Sequence, residues 1–198
     1  MKHLINSYLL SFTQPMVATL NALIMKKQLS GYSYNHYYEI VRDCVQGMHQ
    51  RRLKTASVNQ ATTTLVNDGI ISKHYNSFED LYDDVNRLIG RIPGIGGLTV
   101  YDTAFKLGCT MNPRLFPKDK VYLMGNSPYK AACKYYGRKL NHIEPISTFA
   151  ADFGEIPSMF IEDFFCVMSR YITGPGTVKT VYISDIKKSY RNYCCTLI

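Results

Sequence analysis

A proline followed by two glycines two positions apart is the stretch of this chain best suited to binding an anion. Glycine adopts a positive φ without steric cost and lets an anion approach the backbone N–H groups closely. Residues 98–107 are predicted to form a helix, and the unpaired amides at the N-terminus of a helix favour negative charge. We therefore expect a phosphate to bind the amides of Gly94, Ile95, Gly96 and Gly97, with Thr99 adding a hydroxyl donor.

Positive charge follows this glycine turn along the chain. The 198 residues include 23 Lys and Arg against 15 Asp and Glu, and the stretch from Lys106 to His142 holds eight basic residues and one acid, Asp119. Such clustering suits a polyanionic partner. Three of the basic residues recur at four-residue steps, on one face of a predicted helix. We expect a polyanion's phosphate groups to be contacted by Lys106, Lys130, Lys134 and Arg138.

Apolar periodicity predicts a mainly α-helical chain, folded over residues 1–198 as one domain, a helical bundle. The clearest helix covers residues 78–92, because Ser77 can cap it, acids lie at its start and arginines at its end. Ser158 is expected to cap a central buried helix, and Ser127-Pro128 to start another with the serine as its cap. Further helices are predicted over 3–27, 34–52, 56–67 and 159–171. Residues 145–155 suit a loop or short helix, and the tail 177–198 suits a strand or a helix, of which we favour the helix.

Cysteine usage and hydropathy indicate a cytoplasmic protein that does not enter membranes. The six cysteines show no C-x-x-C spacing, which favours reduced thiols and no zinc site. Residues 1–22 are apolar, but polar residues interrupt them and no signal-peptide cleavage site follows. No run approaches the ~18 uncharged apolar residues of a membrane span. The last four residues have the length of a prenylation box, but Thr196 is not aliphatic.

The order of an amphipathic helix, the turn Ile92-Pro93-Gly94-Ile95-Gly96 and a second helix resembles the helix-hairpin-helix motif of DNA-binding and DNA-repair proteins. The resemblance covers residues 77–108. It implies that the hairpin amides hold a DNA phosphate without strong sequence preference, and that a monovalent cation can sit on the hairpin carbonyls. A wider likeness to an uncharacterised bacterial family, which implies no activity, involves Tyr101-Asp102-Thr103-Ala104, Val121-Tyr122-Leu123 and residues 161–166.

Some DNA glycosylases with this motif carry a catalytic lysine just inside the second helix and an aspartate further along the chain. Leu98 stands at the lysine position here, so the resemblance does not extend to lyase chemistry. Asp119, between two lysines, is the weak candidate for the aspartate. If the chain is an enzyme, the resemblance implies a lyase-deficient, glycosylase-like hydrolase; we expect binding without catalysis.

Other candidate groups favour structural roles. His36 and Glu39 are three residues apart on a predicted helix, but no third ligand follows, so an ion pair is a better interpretation than a metal site. Glu162 and Asp163 are adjacent and point in different directions on a helix, which makes a poor acid–base pair. A purely structural glycine turn in a protein-interaction module remains open, since the 16 tyrosines offer contact surface.

Overall fold

The computed structural model describes Met25 and residues 34–46 and 53–179. The predicted mainly α-helical fold is confirmed, since these ranges contain seven α-helices and only short strands. The described residues form two compact units, one up to residue 116 and one from residue 117 onward. That they make up one domain stays a prediction. The expected helix over 3–27, the end of the helix over 34–52, most of the C-terminal tail and the prenylation box lie outside the described residues.

The first unit is a packed group of four α-helices. They are α1 (Tyr34–Val45), α2 (Thr55–Asn67), α3 (Phe78–Ile89) and α4 (Gly97–Thr110), with a short 3-10 turn, Ile70–Ser72, between α2 and α3. Their apolar sides share one core, which includes the fully buried Ile40, Leu65, Leu81 and Leu107. Helices α3 and α4 pack against each other, and the rings of Phe78 and Tyr101 meet edge to face with centroids 6.1 Å apart.

Helix α3 has the start that its sequence predicts. The Ser77 hydroxyl accepts a hydrogen bond of 3.1 Å from the Asp80 amide, which satisfies one of the orphan donors of the first turn. The helix ends at Ile89, with Gly90 as its C-cap, three residues before the predicted end. The chain therefore leaves the helix just before the glycine turn.

The second unit combines three α-helices with two small antiparallel sheets. Along the chain they are β1 (Lys120–Tyr122), α5 (Asn126–Tyr136), β2 (Ile143–Pro145), α6 (Ala150–Phe153), α7 (Ser158–Met168), β3 (Ile172–Gly174) and β4 (Thr177–Val178), with a 3-10 turn at Ile146–Thr148. Strand β1 pairs with β2 so that Val121 opposes Glu144, and β3 pairs with β4. Helix α7 is the expected buried helix: Ile161, Phe164, Phe165 and Met168 are fully buried.

Two predicted serine caps in the second unit are wrong. Helix α5 begins at Asn126, one residue before Ser127, and Gly125 precedes it without a side-chain cap. Ser158 is the first residue of α7 rather than its cap, because its hydroxyl donates instead to the carbonyl of Lys120. That contact ties α7 to β1, a long-range partner that helix-cap patterns do not reveal.

The predicted helix in the C-terminal tail is also wrong where the structure describes it. Thr177–Val178 forms strand β4, which pairs with β3 across the turn at Gly174-Pro175-Gly176. A nearby partner strand satisfies the backbone groups of these residues, so they do not need helical hydrogen bonds. Upstream, residues 145–155 contain both a 3-10 turn and the short helix α6, within the predicted alternatives.

Helix α4 ends at a close backbone contact that only glycine permits. The Leu115 amide donates to the Gly108 carbonyl at 3.0 Å, and a Cβ at Gly108 would lie 2.4 Å from the Leu115 carbonyl oxygen. We expect Gly108→Ala to lower the free energy of unfolding by about 1–3 kcal/mol, the usual cost of overpacking. Urea denaturation measures it.

Gly174→Ala is the matched control, because a Cβ at Gly174 would meet nothing within 4 Å and the backbone there does not have the positive φ of a left-handed residue. Equal midpoints for Gly108→Ala and the wild type would contradict the packing described here.

Candidate nucleic-acid interface

The turn between α3 and α4 has a defined backbone geometry. The Ile95 amide donates to the Ile92 carbonyl at 2.9 Å, Pro93 follows Ile92, and Gly94 has a φ of +89°. These are the features of a type II turn, which places proline second and a residue of positive φ third. Ile95 is 8 % exposed and anchors the turn in the core, whereas Gly94, Gly96 and Gly97 are exposed.

A hydroxyl group from α2 fixes the turn from the side. Ser57 Oγ donates to the Pro93 carbonyl at 2.7 Å. A Cβ at Gly94 would lie 3.2 Å from this Ser57 Oγ. Ser57 is 36 residues away in the chain and lies on a helix whose Thr and Val content made it a weak prediction. No local signal identified Ser57 as part of the site.

The N-termini of two helices border the turn. Gly96 is the N-cap of α4, with an extended backbone and no side-chain cap bond, and Lys54 is the N-cap of α2, also without one. Ser57, which contacts the turn, lies in the first turn of α2. Because the first amides of a helix lack intrahelical acceptors and carry the positive end of its dipole, both helices favour an anion here.

Two exposed cations lie beside these helix ends. Arg91 directly precedes the turn and Lys54 precedes α2, and neither makes an ion pair with another described residue. The flanking segments 53–61 and 91–101 contain no acid. Arg91 was assigned above to the end of the preceding helix rather than to the site. Its place directly before Ile92, the first residue of the turn, could have indicated that it belongs to the site.

Two expected contact residues serve the packing of the first unit. Lys106 is half-buried, and its ammonium group donates to the carbonyls of Asp43 (3.3 Å) and Cys44 (3.4 Å) at the C-terminal end of α1. A cation there complements the negative end of the α1 dipole. Lys106 also stands about 13 Å along α4 from Gly97, at 1.5 Å per residue. Thr99 is 3 % exposed, so its side chain offers little surface to a ligand.

The remaining basic candidates belong to the second unit. Lys130 and Lys134 are exposed on α5, and Arg138 is exposed but lies beyond the helix. The predicted three-residue stripe on one helical face is wrong at Arg138, because α5 ends at Tyr136 and Gly137 adopts a left-handed φ of +63°. None of the three forms an ion pair within the part of the chain that the structure describes.

The catalytic candidate Asp119 is an exposed residue just before β1. Its carbonyl accepts a hydrogen bond of 2.8 Å from the Ile146 amide, and its side chain is exposed rather than buried in a cleft. A pocket of about 260 Å³ in the first unit is lined in part by Lys73, His74, Tyr75 and Asn112, and Asp119 is not among its lining residues.

Metal-binding and membrane-spanning features are not found among the described residues. Within these ranges, no group of three or more His, Cys, Asp or Glu side chains is placed to hold a metal ion. Nor is any described helix both long and apolar enough to cross a bilayer.

Glu162 is half-buried and Asp163 is buried, as expected of neighbours that point in different directions.

Ion pairs and hydrogen bonds centred on Asp84 connect α3, the helix that leads to the turn, to the segment before it. Asp84 Oδ2 accepts from the Tyr75 hydroxyl at 2.7 Å and from Lys73 Nζ at 3.0 Å, and Oδ1 accepts from Arg87 Nε at 3.0 Å. Lys73 also contacts Asp68, just after α2. Burial alone would raise the pKa of Asp84, but the hydrogen bonds from Tyr75, Lys73 and Arg87 outweigh it and lower the pKa to about 2.

Comparison with known protein families, with curated proteins and with solved structures finds no match for this chain. The helix-hairpin-helix resemblance and the likeness to an uncharacterised bacterial family therefore stay predictions. What supports an anion site is the local geometry of the turn itself.

The depressed pKa of Asp84 predicts a specific acid sensitivity. Its stabilising effect is fully present above the ordinary pKa of 3.8 and is lost as the pH falls toward the folded-state value of about 2. We expect Asp84→Asn to destabilise the protein by about 2 kcal/mol near neutral pH and by much less near pH 2. Urea denaturation across this range measures the difference. Asp83→Asn, at an exposed neighbouring position, is the control. Its difference in stability from the wild type should not shrink between neutral pH and pH 2 in the way expected for Asp84→Asn.

The bond from Ser57 to Pro93 predicts how the turn is held. We expect Ser57→Ala to cost about 1 kcal/mol of stability and to speed hydrogen exchange at the Ile95 amide, because the turn loses its tether to α2. Thr64→Ala is the matched control, since Thr64 Oγ1 bonds only within α2, to the Gln60 carbonyl at 2.9 Å. Unchanged exchange at Ile95 in Ser57→Ala would contradict this role.

Proposed function

We propose that this protein binds DNA through its phosphate backbone, at the exposed turn between α3 and α4. The observation that carries the proposal is a glycine turn that begins one helix and is bonded to the first turn of another, with the exposed cations Lys54 and Arg91 in flanking segments that contain no acid. In this arrangement the amides of Gly96 and Gly97 donate to phosphate oxygens. The Ile95 amide, also expected to do so, donates instead to the Ile92 carbonyl within the turn. Charge-assisted bonds of this kind are stronger than neutral ones.

The turn is suited to phosphate because it is bare and already fixed. Gly96 has open space where a Cβ would lie, so a phosphate can approach the backbone closely. Ser57 and Ile95 hold the turn in place before binding, which lowers the entropy that binding must overcome. Contacts of this type read the backbone rather than base edges, so the proposal includes no strong sequence preference.

The ligand groups that we assign to the turn are its N–H groups. The carbonyls of Ile92, Pro93 and Gly96 each accept one hydrogen bond, from Ile95, Ser57 and Val100. Each keeps a second lone pair, so a monovalent cation at the hairpin stays a prediction. Lys130, Lys134 and Arg138, exposed in the second unit, supply further salt-sensitive charge.

The test is binding of a duplex at several salt concentrations. We expect log affinity to fall linearly with log salt, with a slope of about −0.9 for each phosphate neutralised. Arg91→Ala should weaken binding similarly on unrelated sequences and reduce the slope by about 1. Gly96→Val, whose extended backbone and open surroundings accommodate the side chain, should weaken binding roughly 10- to 100-fold, the value of one charged hydrogen bond.

Gly174→Val is the matched control, since a Cβ there also meets nothing within 4 Å. Duplex affinity that does not respond to salt, or that is equal in Gly96→Val and the wild type, would falsify the proposed function.

A further inference from the structure

Two aromatic rings, those of Tyr129 and His142, stack on each other in the second unit. The ring of Tyr129, on α5, and that of His142, just before β2, have centroids 4.2 Å apart and planes inclined by 27°. His142 is exposed even though Tyr129 covers one face of its ring. Tyr129 can cover only one face of the imidazole, so the surface that the ring offers to a ligand is its opposite face and its edge.

Both rings are held in place by their polar atoms. The Tyr129 hydroxyl donates to the Leu140 carbonyl at 2.9 Å, and His142 Nδ1 lies 2.8 Å from the Leu123 carbonyl oxygen. Because a carbonyl can only accept, Nδ1 carries the proton in this contact. The backbone of His142 is fixed as well, since its carbonyl accepts from the Leu123 amide at 2.7 Å. Such a rigid surface loses little entropy when a ligand stacks on it.

Two exposed lysines are neighbours in the chain of the segments that hold the ring pair, and neither Glu144 nor Asp119 opposes them at the rings. Lys130 follows Tyr129, and Lys139 precedes Leu140, whose carbonyl binds the Tyr129 hydroxyl; both lysines are exposed. The carboxylate of Glu144, two residues after His142, is buried and accepts from the Asn141 backbone amide at 2.5 Å and from its side-chain amide at 3.1 Å. Asp119 lies beyond the other end of the β1–β2 ribbon, where Lys120 opposes Pro145.

We propose that the open face of His142 stacks an unpaired base of single-stranded DNA, while Lys130 and Lys139 bind the adjoining phosphates. Aromatic surfaces combined with cations are the usual means of holding single strands, because every base has a π-face. In a duplex the faces of each base are already covered by its neighbours. The inference rests on the proposed function for its ligand class, nucleic acid. It shares Lys130 with that function, adds His142 and Lys139, and adds a preference for unpaired bases.

The test compares a labelled short oligothymidylate with a duplex by fluorescence anisotropy, using the full chain. We expect His142→Ala to weaken single-strand binding roughly 5- to 150-fold, the range of base–aromatic stacking, and to leave duplex binding nearly unchanged. His142→Phe, which keeps a stacking face, should restore much of the single-strand affinity. His74→Ala, at an exposed histidine of the first unit, is the matched control. Replacing Lys130 and Lys139 together by alanine should reduce the salt slope for the single strand.

The two proposals fail in different ways. Single-strand binding that is absent, or equal in His142→Ala and the wild type, overturns the stacking inference, whatever Gly96→Val does to the duplex. Loss of single-strand affinity in His142→Ala, together with duplex affinity unaffected by Gly96→Val, supports the inference and overturns the assignment of DNA binding to the turn. Thermal unfolding of each variant confirms that it is folded.

Discussion

The hydrogen bond from Ser57 to the Pro93 carbonyl holds in place a glycine turn that has few side chains of its own to fix it. A turn that offers its amides to a ligand must be bare of side chains, yet glycine is the residue that loses most conformational freedom on ordering. The Ser57 hydroxyl, the internal bond at Ile95 and the burial of the Ile95 side chain hold the turn without covering its outer surface. The position of α2 against the turn is therefore as important to the site as the glycines.

Local signals in the sequence predicted the helices well and the long-range contacts poorly. The cap at Ser77 and the apolar spacing after it place the start of α3, because both depend on residues within one or two turns. The roles of Ser57, Ser158 and Lys106 depend on partners distant in the chain, at Pro93, Lys120 and the end of α1. A serine or lysine has the same identity whether it caps a helix, bridges two elements or faces solvent, so sequence spacing alone could not separate these roles.

The same limit applies to composition. A surplus of lysine and arginine predicted a polyanion site, but Lys73 and Lys106 are engaged with groups of the protein itself. The tyrosines that suggested a protein partner include several that build the interior: Tyr82, Tyr101, Tyr122 and Tyr135 are buried. The Tyr135 and Tyr136 hydroxyls both donate to the Asp152 carboxylate at 3.0 Å. These five tyrosines have structural roles in the described part of the chain, which weakens the argument from tyrosine content for an interaction module.

The two proposed surfaces recognise different parts of the same polymer. The proposed contact at the turn is between amides and phosphate oxygens, which single strands and duplexes both carry, so it would contribute affinity without regard to pairing. The ring of His142 can stack only on a base whose face is free, so this contact discriminates between the two forms. If both surfaces act, selectivity for unpaired DNA comes from the rings and the general, salt-sensitive attraction comes from the amides and the exposed cations. Neither the amide–phosphate contact nor the stacking contact reads a base edge, which agrees with the weak sequence preference expected of the turn.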